Sequence, residues 1–193
     1  EMCIRDRSRS LGVNATYDWK RVKLRSNIQY VGTDRLEDSR TTVDNYIRKD
    51  KSITRSTNNS RTENNNLVAN AFLEWKMDSV TTLIFRPQYR FSANDRENKG
   101  FQEGWGNDVL LNEKVSSGSS HNSQYNVTMM LQLSRKLSQK GRNVALKVDY
   151  GTNSSSNDRK NLSTTHYFKN DREDSKNQKI EDDINGYNYR VQL

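Results

Sequence analysis

The stretch 66–95, NLVANAFLEWKMDSVTTLIFRPQYRFSAND, restricts the possible folds more than any other part of this chain. Taken two residues at a time, it separates into two alternating runs. In the first, Leu67, Ala69, Ala71, Leu73, Trp75 and Met77 share one face, opposite Asn66, Asn70, Glu74 and Lys76, with Val68 and Phe72 as exceptions. In the second, Leu83, Phe85, Pro87, Tyr89, Phe91 and Ala93 alternate with Arg86, Gln88, Arg90 and Ser92. Neither run fits a stripe of 3.6-residue period, so both are read as strands with one apolar and one polar face. Asp78 and Ser79 supply the tight turn between them.

The alternation lasts about twice as long as the mean globular strand of about 5–6 residues. A strand that crosses a bilayer needs about 9–11 residues, apolar toward lipid and polar toward the lumen. Trp75 lies beside the short turn, and Tyr89 and Phe91 lie at the far end, as two interfacial belts require. The hairpin therefore reads as a piece of the wall of an outer-membrane β-barrel.

The same pattern recurs along the chain. Leu11, Val13, Ala15, Tyr17 and Trp19 alternate with polar residues, and after a turn at 18–21 the apolar face passes to Val22, Leu24, Ile28 and Tyr30. Tyr125, Val127, Met129, Leu131, Leu133 and Leu137 form a later face, and a turn at 138–142, with Gly141 free to take positive φ, leads back through Val144, Leu146, Val148 and Tyr150. Tyr187, Tyr189, Val191 and Leu193 open a further strand. Between these hairpins lie three long polar connections, 32–65, 94–122 and 153–186, with weak strand-like pieces at 43–47 and Ile53. Short turns on one side and long connections on the other are the architecture of outer-membrane barrels, whose short turns are periplasmic. The expectation is all-β: a fragment of a large antiparallel transmembrane barrel, with six long strands, the start of a seventh and long extracellular loops.

Face assignment follows from the cost of charge in hydrocarbon. Trp19, Tyr30, Trp75, Tyr89, Phe91, Tyr125 and Tyr150 are expected on the lipid face as interfacial girdles, with Trp19 and Trp75 at the periplasmic end. Lys23, Arg25, Gln29, Glu74, Lys76, Arg86, Gln88, Arg90, Lys136, Lys147 and Asp149 are expected on the lumen face. A soluble core or cross-strand pairing would explain any single aromatic. Their repeated position relative to turn length favours the girdle.

Composition alone points elsewhere. A hydrophobic fraction of 31%, one proline and a mean hydropathy of −1.10 suit a polar or disordered chain. Barrels escape hydropathy because half of each strand faces water. A net charge of +8 raises nucleic acid as a partner, but Lys and Arg interleave with Asp and Glu, as in 171–183, instead of forming a patch. A soluble basic β-protein that binds nucleic acid is the weaker reading.

The first seven residues, EMCIRDR, match codon for codon a frame through GAG-ATG-TGT-ATA-AGA-GAC-AG, which resembles the transposon end ligated in tagmentation libraries. Residues 1–7 are accordingly expected to be translated adapter, and 8–193 a partial barrel domain cut from a longer gene. The one cysteine, Cys3, belongs to that segment, so no disulfide or metal argument rests on it.

Two stretches carry a resemblance. EWKMDSVTTLIFRPQYRFS at 74–92, and LQLSRKL at 131–137 followed by GRN at 141–143, resemble hairpin turns of the Bacteroidota-type outer-membrane β-barrel family, whose members look like TonB-dependent receptors. The resemblance covers most of 9–193. It implies outer-membrane localisation, nutrient import, further strands and an N-terminal plug. The implied partners are outer-membrane lipid and lipopolysaccharide, the plug and remaining strands of the same protein, and a periplasmic energy-coupling protein reached through a segment outside this chain. Nucleic acid is not among them. A structural, adhesive or assembly-related barrel without transport is the alternative.

No catalytic constellation stands out, and neither enzyme activity, a metal nor a cofactor is expected. His121 and His166 lack paired or HExxH spacing. Glu181, Asp182 and Asp183, with Asp171, Glu173 and Asp174 nearby, lack the spacing of a calcium hand and read as a solvated charge run. The segment 100–106, GFQEGWG, lacks the Lys-Ser/Thr of a phosphate loop. It presents Phe101 and Trp105 either to a ligand at the outer mouth or to each other.

Overall fold

The computed structural model describes residues 2–47, 50–138 and 141–193. They form seven strands: β1 (Met2–Trp19), β2 (Val22–Ile47), β3 (Asp50–Lys76), β4 (Thr81–Gly106), β5 (Val109–Lys136), β6 (Asn143–Tyr167) and β7 (Arg172–Gln192). All lie in one open antiparallel sheet in sequence order, with β1 and β7 at its edges. Among the described residues no second layer covers either face and no large side chain is fully buried.

A two-residue and a four-residue turn close the first two short ends. Lys20 and Arg21 join β1 to β2. Between β3 and β4 the Asp78 carboxylate accepts the backbone N–H of Val80 at 2.7 Å and of Thr81 at 2.6 Å. Those bonds, the one from Val80 first, hold the Asp78 carboxyl below the usual carboxylate range. Gly141 takes φ +83° in the third short turn, a conformation open to glycine at little cost.

The three polar connections are not loops. They are the outer halves of the strands, paired residue by residue as far as the hairpin tips. GFQEGWG completes β4, and the tip follows at Asn107 and Asp108, whose φ angles of 49° and 64° suit a type I′ turn. The seventh strand begins at Arg172 and not near Tyr187. These outer halves escape a pattern reading because both of their faces are polar, which erases the alternation. Asn is also a poor strand former by propensity. Here it is used across strands: Asn64 donates to Thr33 at 3.1 Å and accepts from Asn94, all on one face. Residues 2–7 continue β1 opposite 34–39. A backbone ladder accepts almost any sequence, so this pairing leaves their origin untouched.

Register aligns the apolar residues into a band. Trp19, Val22, Trp75, Leu83, Leu133 and Leu146 form one cross-strand row beside the short turns. Leu11, Tyr30, Leu67, Phe91 and Tyr125 form another. The span 67–75 between these rows covers about 26 Å at about 3.3 Å per residue. Beyond the upper row the same face turns charged, with Asp34, Glu63, Asp95, His121 and Asp158 aligned in a single row. Tyr30 marks the boundary. It lies over Gly32, where a Cβ would stand 2.8 Å from its hydroxyl, and that hydroxyl donates to Asn65 at 2.6 Å.

Candidate functional site on the polar face

Strand alternation and the register together divide the sequence-expected residues by face. Lys23, Arg25, Glu74, Lys76, Arg86, Gln88, Arg90, Lys136, Lys147 and Asp149 share one face of the sheet, and so does Gln29. Trp19, Tyr30, Trp75, Tyr89, Phe91, Tyr125 and Tyr150 share the other. Tyr30, Phe91 and Tyr125 fall in one row, whereas Tyr150 pairs with Met129 and Tyr189, nearer the short turns. Phe101 and Trp105 also lie on the aromatic face, far out on β4, and do not meet each other. Trp105 is engaged locally: the Arg55 guanidinium sits 5.7 Å from its ring centroid, and its indole N–H donates to Glu103 at 3.3 Å.

Within the polar face one place differs from the rest. Pro87 brings no N–H to the ladder, and the β3–β4 pairing lapses between Asn70–Gln88 and Leu73–Phe85. A concavity of about 680 Å³ opens here, lined by Asn70, Phe72, Arg86, Gln88, Asp149 and Arg190 among others. The Arg86 guanidinium lies over the Phe72 ring, 5.0 Å from its centroid. Asp149 is held 3.0 Å from the Lys147 ammonium. Along this level of the face Lys23, Arg25, Lys76, Arg86, Arg90, Lys147 and Arg190 outnumber Asp18, Glu74 and Asp149 by more than two to one.

Phe72, Met130 and Arg190 join the residues the sequence singled out. Phe72 was visible as a break in the alternation of its run; Met130 and Arg190 acquire meaning only through cross-strand register. The acidic run does not gather. Strand alternation sets Glu181 and Asp183 on one face, Glu181 beside Lys179, and Asp182 on the other, where it accepts from Asn157 at 3.4 Å. His121 pairs with Asp95 across β4 and β5, and His166 lies 3.7 Å from Asp171. Farther out, Arg61 makes two bonds to Asp34, at 3.1 and 3.0 Å. That contact lowers the Asp34 carboxyl pKa and raises that of Arg61.

No family model and no curated protein matches the chain. Among solved structures, the ferric yersiniabactin uptake receptor of Yersinia pestis aligns over 88% of this chain and 34% of its own, at 6% identity and a TM-score of 0.20. A BenF-like porin from Pseudomonas fluorescens Pf-5 aligns over 90% of this chain and 77% of its own, at 8% identity and a TM-score of 0.12. The β domain of a Bordetella autotransporter aligns over 96% and 90%, at 6% identity and a TM-score of 0.15. The chain spans about a third of the length of the first of these. All three alignments lie at low similarity.

Proposed function

We propose that this sheet is part of the wall of an outer-membrane β-barrel resembling the TonB-dependent receptors of Bacteroidota, and that the assembled protein takes up a nutrient too large to diffuse. The observation that carries the reading is the confinement of charge. Over the five rows of the band, one face is free of Asp, Glu, Lys and Arg on β1 to β6, and the other holds nearly all the charge at that level. Leu11, Trp19 and Tyr189 are 67%, 61% and 76% exposed on the uncharged face, an apolar surface far larger than a monomer in water tolerates. Lipid on that face and water on the other satisfy both. Lipid admits no open sheet edge, so the wall closes with further strands beyond β1 and β7. In this arrangement the short turns are periplasmic and the outer halves of the strands stand outside the cell.

Fluorophores at Leu73 and Leu83 are expected to be quenched by lipid-borne quenchers in the full-length protein, and fluorophores at Gln88 and Lys76 are not. Equal quenching at both sets, or none at either, defeats the wall assignment. A second reading, a structural or adhesive barrel without transport, is favoured by the height of the outer halves. From Phe91 to Gly106 alone, β4 continues about 50 Å past the band at the usual strand rise. Uptake that stops when the membrane is de-energised separates transport from adhesion.

A further inference from the structure

We infer that the polar face holds a binding site for a small solute recognised through its carboxylate or phosphate groups, built on the guanidiniums of Arg86 and Arg190. The inference rests on the reading of this face as the lumen wall. Arg86 pairs with Met130, Met130 with Asp149, and Asp149 with Arg190, so these side chains lie along one cross-strand row. Among the described residues neither arginine is ion-paired. The one carboxylate of that row, Asp149, is already taken by Lys147 at 3.0 Å.

The apolar residues at this level have a role in that arrangement. Phe72 carries the Arg86 guanidinium over its ring, and the guanidinium's fork of N–H donors matches a carboxylate or phosphate in two parallel bonds. Met130 stands directly opposite Arg86 on β5. An apolar flank excludes water beside the charge and strengthens its attraction for an anion. Arg86 and Arg190 line the same concavity of about 680 Å³, with Asn70, Gln88 and Asn188 as neutral hydrogen-bonding neighbours. That volume lies within the range of about 300–1,000 Å³ typical of small-molecule sites. A neutral sugar leaves the guanidiniums unmatched, and a cation is repelled.

Equilibrium dialysis of radiolabelled citrate and of pyrophosphate against the full-length protein in micelles tests the site, with raffinose as the uncharged comparison. One or both anions are expected to bind, raffinose not, and whichever binds names the group. Arg86→Gln and Arg190→Gln are each expected to weaken binding by about tenfold or more, the loss of one charged hydrogen-bonding partner. Lys99→Gln, on the opposite face, leaves binding unchanged, and heat-modifiable gel migration verifies folding of every variant. In parallel, Gln88→Cys and Thr128→Cys, each as the single reactive cysteine of the full-length protein, are treated with a membrane-impermeant maleimide in vesicles. If both cysteines react but neither anion binds better than raffinose, the anion site is wrong and the lumen wall stands. If neither reacts, the lumen reading fails and this inference falls with it.

Discussion

At the scale of single residues, the two faces predict opposite responses to the same substitution. Leu83 stands in the band beside Trp75 and Leu133, while Gln88 faces the concavity on the same strand. An arginine on the lipid face at the bilayer midplane costs about 2–4 kcal/mol, and less toward the interfaces. Leu83→Arg is therefore expected to destabilise folding into bilayers toward the lower end of that range, because Leu83 lies near the short-turn edge. Gln88→Arg has little effect. Urea titration of refolding in lipid vesicles measures both, and equal costs contradict the assignment. Tyr30 is a second residue-scale case. A side chain at Gly32 meets the Tyr30 hydroxyl, so Gly32→Val is expected to break the Tyr30–Asn65 bond and loosen the upper edge of the band. Faster amide exchange at 64–66 is the signature.

At the scale of elements, the short turns carry their own chemistry. The Asp78 carboxylate caps the β3–β4 turn by accepting from Val80 and Thr81, and its pKa is lowered in consequence. A carboxyl whose pKa falls on folding contributes stability above its unfolded value, near 3.8, and loses it as pH falls through the folded value. The turn is therefore expected to loosen below about pH 4, and Asp78→Asn to remove that pH dependence while keeping a side-chain acceptor. Amide exchange at Val80 and Thr81 across pH 3–6 checks it; an unchanged acid profile in Asp78→Asn counts against the cap. The sequence made this hairpin legible because its strands have unlike faces and its turn has Asp-Ser. It hid the outer halves for the opposite reason. Around Asn64 and Asn94 both faces are polar, and the β4–β5 tip is announced by Asn107-Asp108 alone. The site was half legible: Phe72 broke the pattern, whereas its meeting with Arg86 depends on a register that no single strand encodes.

At the scale of the whole molecule, a single-layer sheet must find partners for what it leaves uncovered. Within the band its uncharged face holds Leu11, Val13, Trp19, Ile28 and Tyr189 in the open, and among the described residues no second layer turns back over them. Both edges, β1 and β7, present backbone groups without a neighbouring strand. In water each feature drives association. Apolar surface is buried against another copy, and an open edge templates pairing with a further strand. The outer halves, rich in Asn, Ser and Thr, keep part of each strand soluble without relieving the band. The chain 1–193 expressed alone and refolded without detergent is therefore expected to form large, non-cooperatively melting assemblies. Light scattering during size exclusion and a calorimetric scan read this directly. A soluble monomer with a single sharp melting transition requires that the apolar face be covered from within the chain. That result overturns the wall reading and returns the soluble basic β-protein to first place.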